Sequence, residues 1–212
     1  RAPRPLAPPD GGVVALLPGS RAGEIERHMP ALIETCKVLR ARRPRVRFTF
    51  AAADRATERA IAAALGSAFL PPFLGDAHDG TAGTGIRIVR GSREALDDAD
   101  AACIASGTAV LEAALREVPT VALYIVSAAQ VPIARRIWKR PHITLPNILL
   151  EREVVPERLQ DDATPQRLAD ALAELLDDPS TQLAGLRDVR AALGDPRALE
   201  RSAEFALELA RV

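Results

Sequence analysis

Val13-Val14-Ala15-Leu16-Leu17-Pro18-Gly19-Ser20-Arg21-Ala22-Gly23-Glu24-Ile25 is the stretch from which the rest of the chain can be read. Its five leading apolar residues stop at a Pro-Gly turn, and apolar residues then recur at Ile25, Met29, Leu32, Ile33, Cys36 and Leu39. A short unbroken apolar run fits a strand buried on both faces, and the spacing after it fits one face of an α-helix. The helix is expected to end near Arg42-Arg43-Pro44, with a second strand over Val46–Ala52 and a helix from about Asp54 to Leu65.

The alternation continues outward. Gly66–Gly85 holds five glycines and two prolines and reads as a loop, pinned to the body by Phe69, Leu70, Phe73 and Leu74. Strands are expected at Ile86–Val89, Ala101–Ala105 and Thr120–Tyr124, and helices at Ser92–Asp98, Gly107–Arg116 and Ala128–Lys139. Ile143–Leu150 reads as an extended segment broken by Pro146. Helices over roughly 156–160, 164–177, 180–193 and 197–211 complete the chain, punctuated by Pro165, Pro179 and Pro196. Strands separated by helices pair in parallel through right-handed crossovers, so the fold class is α/β, a doubly wound parallel sheet. We divide it into an irregular segment 1–12, a nucleotide-binding type of domain over 13–178, and carboxyl-terminal helices over 179–212.

Composition narrows the function. The 212 residues carry 28 basic and 28 acidic side chains, and this neutrality argues against a dedicated nucleic-acid binder, which needs a surplus of cations on one face. Residues 1–60 hold 12 basic against 6 acidic side chains and residues 151–178 hold 3 against 9, so one end is able to attract an anion. The same asymmetry is also what solvated helix faces produce. Two cysteines, Cys36 and Cys103, lie in apolar stretches, are too few for a disulfide framework, and suggest a reducing compartment. No run reaches the ~18 apolar residues of a membrane span, and Arg1–Gly12 lacks the apolar core of a signal peptide. A soluble, cytoplasmic protein is expected, with peripheral attachment to a membrane left open.

In a doubly wound sheet, ligands bind beyond the carboxyl ends of the strands, so chemistry is sought in the loops there. In the first, Gly19 permits close approach of backbone, Ser20 is placed to cap the next helix, and Arg21 would offer a guanidinium fork at that helix's positive end, which suits a diphosphate. An ordinary capped helix with a solvent-facing arginine has the same spelling. In the second, Ser106-Gly107-Thr108 exposes N–H groups able to hold phosphate oxygens, and Glu112, one turn on, is able to accept the hydroxyls of a ribose. A capping Thr108 and a favourably placed first-turn acid are the alternative. Neither loop is a P-loop or a dinucleotide fingerprint. Asn147 and Gln160 are able to read a uracil edge or sugar hydroxyls. His28, His78 and His142 lack a metal spacing, and Gly19-Ser20-Arg21-Ala22-Gly23 is not a nucleophile elbow. Asp98-Ala99-Asp100 matches an Asp-x-Asp metal motif in spelling, but it stands before a strand rather than after one. No metal and no cofactor are expected.

Leu-Leu-Pro-Gly-Ser-Arg at 16–21 with Glu24-Ile25, Ala-Ser-Gly-Thr-Ala-Val-Leu-Glu at 105–112, Leu-Pro-Asn-Ile at 145–148 and Pro-Glu-Arg-Leu-Gln at 156–160 together resemble the lipid-A-disaccharide synthases in residues, order and spacing. The resemblance covers roughly residues 12–178. It implies the carboxyl-terminal, UDP-binding half of a GT-B glycosyltransferase that moves 2,3-diacylglucosamine from UDP to 2,3-diacylglucosamine 1-phosphate with inversion. Carried over by residue, it implies that Gly19, Ser20 and Arg21 meet the donor diphosphate, with Arg21 acting on the departing group. Ser106, Gly107 and Thr108 would hold phosphate, Glu112 the ribose, and Asn147 and Gln160 would line the donor side of the cleft.

The family's amino-terminal half, which supplies the acceptor pocket and the acidic general base, has no counterpart in these residues, so the 212 residues alone are expected to be inactive in transfer. Ile125 also stands after Tyr124 where the family usually carries a basic residue. The resemblance further implies action at the inner membrane and dimers formed by exchange of carboxyl-terminal segments, with Leu199, Phe205, Leu207 and Leu209 available to pack. Two other readings remain: another UDP-sugar enzyme of this architecture, such as an epimerase or a peptidoglycan transferase, and a non-catalytic nucleotide-binding module.

Overall fold

The computed structural model describes residues 6–68, 85–127, 141–194 and 197–209. Its sheet has six parallel strands, β1 (Val13–Leu17), β2 (Arg47–Ala52), β3 (Ile86–Arg90), β4 (Ala101–Ala105), β5 (Thr120–Tyr124) and β6 (Glu157–Leu159), in the order β3-β2-β1-β4-β5-β6. The expected doubly wound α/β fold is present. Helices α1 (Ala22–Arg42), α2 (Arg55–Ala68), α3 (Ser92–Asp97) and α4 (Thr108–Leu115) follow β1 to β4 in turn, and α5 (Leu145–Leu150) precedes β6. Beyond β6 come α6 (Pro165–Asp177), α7 (Ser180–Leu193) and α8 (Ala198–Leu209).

Period-two alternation divides each buried strand between two cores. Val14 and Leu16 of β1, Phe48 and Phe50 of β2 and Val121 and Leu123 of β5 face α1, α2 and α6. Ala15, Ala51, Ala102 and Ala122 face the other way, where Ala95, Ala113 and Ala114 of α3 and α4 meet them and Leu186 and Val189 of α7 fill the remaining space. Large side chains fill the first layer, and the abundant alanines let helices approach the sheet closely in the second. Cys36 and Cys103 are buried in the first core, and burial pushes both thiols above their ordinary range, so they pack as apolar groups.

Four sequence expectations change. Ile143–Leu150 is not extended: Leu145–Leu150 is a helix whose second residue is Pro146. A proline in the first turn forfeits no hydrogen bond, because N–H groups there have no intrahelical partner. Residues 156–160 are not helical; Glu157–Leu159 is an edge strand on β5, with Ala122 N–H donating to Pro156 O at 2.9 Å, and a 3₁₀ turn follows over Gln160–Asp162. The loop after α2 begins later, since the helix continues through Gly66 to Ala68. The boundary at 178/179 falls within packed structure: Gln182, Leu186 and Val189 of α7 are buried, whereas the described side chains of α8 are exposed. The expected helix over 128–139 and most of the loop over 66–85 lie outside the described residues.

Gln182 shows how α7 is locked on. Its Oε1 accepts the Thr120 N–H at 2.6 Å, and its Nε2 donates to Thr120 O at 2.9 Å and Val154 O at 3.0 Å, standing in for a neighbouring strand at the start of β5. Gln182→Ala strands three buried backbone groups, each costing about 1–3 kcal/mol if unpaired. Urea unfolding is expected to show a loss of about 3 kcal/mol; a loss under about 1 kcal/mol would mean that water or another donor replaces the side chain.

Candidate functional site

β1 and β4 are neighbours, with Leu17 beside Ile104 in register, yet α1 and α4 leave toward opposite faces. The strand order reverses between them, so a crevice opens at their carboxyl ends with one helix N-terminus on each side. The loops singled out in the sequence, 18–21 and 105–108, form its two walls.

The first loop is closed around an anion of its own. Gly19 has φ +115°, and Glu24 returns from the first turn of α1 to accept the N–H groups of Ser20 at 3.0 Å and Arg21 at 3.3 Å on Oε2. The Arg21 guanidinium donates to Oε1 at 2.9 Å. Partial burial raises the Glu24 pKa, but these donors, led by the Ser20 N–H, outweigh it and hold the carboxyl below its ordinary range. Ser20 was expected to cap α1. The N-cap is Arg21, in extended conformation, and the capping carboxylate is that of Glu24.

The second loop is open. Gly107 is the N-cap of α4, and the N–H groups of Gly107, Thr108 and Ala109 make no hydrogen bond among the described residues; Gly107 and Thr108 are exposed. The Ser106 N–H is committed to Leu123 O at 3.0 Å, so phosphate is left the Ser106 hydroxyl and the next three amides. Glu112 accepts the Ser92 hydroxyl on Oε2 and the Arg116 Nε–H at 3.2 Å on Oε1, leaving lone pairs on both oxygens.

Asn147 and Gln160 are elsewhere engaged. The Asn147 side chain is fully buried: its Oδ1 accepts the N–H groups of Val154 and Val155, both at 2.8 Å, and its Nδ2 donates to Val155 O at 2.7 Å and Glu157 Oε1 at 2.9 Å. All four of its hydrogen-bonding positions are taken, so the expectation that it lines the cleft gives way to a structural role. Gln160, held at φ +50°, accepts the Val126 N–H at 2.7 Å and braces the loop after β5.

Two residues that the sequence reading did not single out for the site organise this edge. Glu157 accepts the Ile143 and Thr144 N–H groups, the Thr144 hydroxyl and the Asn147 amide within 3.1 Å, fastening the start of α5 to β6. His28, fully buried on α1, accepts the Ile125 N–H on Nε2 at 3.0 Å, which fixes the neutral tautomer whose Nδ1–H donates to Pro18 O at 2.7 Å. It thereby ties the loop after β1 to the chain after β5. Arg27 Nε–H donates to Ile125 O at 3.1 Å, so a guanidinium lies against the backbone of Ile125, the residue that stands where the resemblance led to the expectation of a basic side chain. The signal for His28 was its place among Ile25, Met29 and Leu32 on the apolar face, where a polar ring must find partners.

Asp98 and Asp100 stand at the opposite edge of the sheet. Asp100 accepts the Val13 N–H at 2.8 Å and Asp98 pairs with Arg87 at 3.2 Å. A separate concavity of about 620 Å³ lies between α1 and α2, lined by Ile25, Met29, Ile33, Ala60 and Ala64 together with Glu26, Glu34, Lys37 and Ser67.

The sequence profile of the family described as lipid-A-disaccharide synthetase matches residues 5–206. The lipid-A-disaccharide synthase of Pseudomonas aeruginosa (strain UCBPP-PA14) is 41% identical over 203 residues, 95% of this chain and 50% of its own length. That of Anaeromyxobacter dehalogenans (strain 2CP-C) is 39% identical over 202 residues, 93% of this chain and 49% of its own. The chain thus spans about half the length of the curated relatives it matches. Among solved structures, S. aureus MnaA with UDP superposes with a TM-score of 0.54 at 14% identity, over 94% of this chain and 47% of that one. The spinosyn rhamnosyltransferase SpnG with thymidine diphosphate gives 0.51 at 17%, over 93% and 46%. At such identities the likeness is one of fold alone, that of a Rossmann-like α/β domain.

The His28 contacts make stability depend on pH. Burial is the largest effect on the ring and lowers its pKa, aided by Arg27 and opposed by the Pro18 carbonyl and Glu24. The unfolded chain therefore binds the proton first. The stabilisation is complete above the ordinary histidine pKa of about 6.5 and is lost as pH falls from there toward the depressed folded value, by at most about 1.4 kcal/mol per pH unit. Urea titrations at pH 7.5 and 5.5 are expected to show a smaller loss in His28→Phe than in the parent; equal losses would remove His28 as the source.

Proposed function

The chain belongs to the lipid-A-disaccharide synthetase family, and on that premise we propose that these residues form the donor-binding half of a glycosyltransferase of lipid A biosynthesis. The donor is UDP-2,3-diacylglucosamine, the acceptor is 2,3-diacylglucosamine 1-phosphate, and the transfer inverts the anomeric centre and releases UDP. The observation that supports this best is the pairing of two helix N-termini at the crevice between β1 and β4, one with an arginine at its N-cap and the other with three open N–H groups.

Cleaving the sugar–phosphate bond leaves negative charge on the diphosphate. Donors fixed in advance at the place where that charge collects lower the barrier without reorganising during the reaction. In this reading Arg21 and the amides of the loop after β1 take one phosphate, and Gly107, Thr108, Ala109 and the Ser106 hydroxyl take the other. Glu112 receives the ribose hydroxyls on its remaining lone pairs. Gly19, at φ +115°, lets the loop after β1 turn beside the proposed diphosphate position. Asn147 and Gln160 act from behind, by holding the walls of the cleft. An inverting transfer also needs a base on the far side of the sugar. We assign the base and the acceptor pocket to the portion of the relatives' length that this chain does not span, so that these residues alone bind donor without completing transfer. Among the described residues no helix is long and apolar enough to cross a membrane, and we propose that acylated substrates are met at the cytoplasmic face of the inner membrane by peripheral association. A homodimer through the exposed α8 belongs to the same reading.

Removing the Arg21 guanidinium deletes a charged donor worth about 1.5–3 kcal/mol, so Arg21→Ala should weaken UDP roughly tenfold to a hundredfold in calorimetry. Equal affinity in parent and variant would take the diphosphate away from this loop.

UDP binding should also persist in EDTA. Asp98 and Asp100 are bonded to Arg87 and to the Val13 amide at the far edge of the sheet, a strand's length of roughly 16 Å from the crevice, too far to bridge a metal to the ligand. Affinity that collapses in EDTA and returns with magnesium or manganese would overturn this charge-neutralisation scheme.

A further inference from the structure

The loop after β1 is built around a carboxylate. Gly19 holds φ +115°, and a Cβ at that position would stand 2.6 Å from Glu24 Oε2 and 2.8 Å from Glu24 Cβ, so the glycine is what lets Glu24 sit against the loop. Both Glu24 oxygens are used, one by the amides of Ser20 and Arg21 and the other by the Arg21 guanidinium. In a capping box the acid three residues on accepts the N-cap amide alone, in exchange for a bond from its own amide to the N-cap side chain. Here the acid also collects the preceding amide and draws back an arginine whose side chain is 81% exposed, while its own is 14% exposed. The wall across the crevice differs: Glu112 turns to Ser92 and Arg116, and the amides of Gly107, Thr108 and Ala109 stay open.

We propose that Glu24 is an internal competitor for the donor's diphosphate, filling the anion nest after β1 in the free protein and being displaced from it when the diphosphate binds. The inference rests on the donor-half reading above. Each N–H donates one good hydrogen bond, so the Ser20 and Arg21 amides cannot serve the carboxylate and a phosphate together, and two anions on one nest repel. Until displacement, Glu24 keeps the guanidinium and the amides in the arrangement a phosphate needs, and it sets a threshold for entry. A ligand that presents a single anionic group gains little by replacing one anion with another. A diphosphate gains the open amides of the second loop as well, and so overcomes the threshold. Glu24 is in this sense a specificity-determining residue, acting through the loop it occupies.

Calorimetric titration of the 212-residue chain with UDP and with uridine tests this. Glu24→Gln keeps an accepting oxygen for the helix cap and removes the charge, so UDP should bind about three- to tenfold tighter, the scale of one charge-assisted hydrogen bond no longer contested, while uridine should bind as in the parent. UDP affinity unchanged or weakened in a variant that melts like the parent overturns the proposal. A second measurement needs no variant: carbon NMR of the Glu24 carboxyl should show its titration moving to higher pH in saturating UDP, because its donors have been taken and phosphate charge has arrived. A titration that UDP does not move also overturns it. Loss of UDP affinity in Arg21→Ala with no gain in Glu24→Gln would leave the donor reading standing and remove Glu24 as competitor. Absence of UDP binding by the parent removes both.

Discussion

The adjacency of β1 and β4 is the constraint on which the rest depends. Both strands are buried on both faces, so their side chains must be apolar and any polar group must sit beyond their ends. Right-handed crossovers then force the helix after β1 and the helix after β4 onto opposite layers, because β1 leads toward β2 on one side and β4 toward β5 on the other. Two helix N-termini are left facing a gap that no crossover covers. Amides without intrahelical partners gather there as a consequence of topology alone, and in the proposed reading Gly19, Arg21 and Gly107 make the gap an anion site. At the amino edge of the same strands the opposite device is found, a carboxylate of Asp100 accepting the Val13 amide.

The carboxyl edge is made rigid by side chains that take the place of missing backbone partners. His28 joins Pro18 to Ile125, Arg27 takes the Ile125 carbonyl, Gln160 takes the Val126 amide, and Glu157 with Asn147 clamps the start of α5 to β6. None of these bonds is strong in net terms, but each removes a half-buried group that would cost more if left alone, and the asymmetry favours one arrangement of the loops over many. Phosphate donors are useful only if they do not have to be gathered when the ligand arrives. The motifs at 145–148 and 156–160 contribute by gathering them.

How far this was visible in the chain follows from the same physics. β1 and β4 showed as unbroken apolar runs because burial on both faces leaves no alternation to hide them, β2 and β5 as mostly apolar runs interrupted by Arg47, Thr49 and Thr120, and α1 through the spacing of Ile25, Met29 and Leu32. α5 and β6 did not show. Pro146 carries the same letter whether it breaks a strand or opens a helix, and the three residues Glu157–Leu159 are extended only because β5 lies beside them. The two crevice loops were legible because helix starts after strands have local signatures. From the sequence Asn147 is expected to line the cleft because a carboxamide that would read a uracil edge reads a peptide group equally well, and only the fold decides which is nearer. Glu157 passed unnoticed because its partners, Ile143, Thr144 and Asn147, become neighbours only after β6 has joined the sheet.

On the proposed reading, the charge at the crevice accounts for how a formally neutral chain would favour an anion. Among the described residues Arg21 faces Glu24 and Arg27 is held at the Ile125 carbonyl, so the guanidinium at the N-cap of α1 is matched by a carboxylate one turn on. The surplus is small and owes more to oriented amides than to formal charge. Such a field is short in range: the positive end of a helix counts for about half a charge and fades within its first turn. It draws nothing from a distance and rewards only an anion that enters far enough to touch both walls. In the reading proposed above, a compact diphosphate spanning the gap between residues 20–21 and 107–109 would meet donors at each end. Selectivity of this kind is set by the separation of two helix starts, and that separation is fixed by neighbouring strands about 4.8 Å apart whose chains depart to opposite faces.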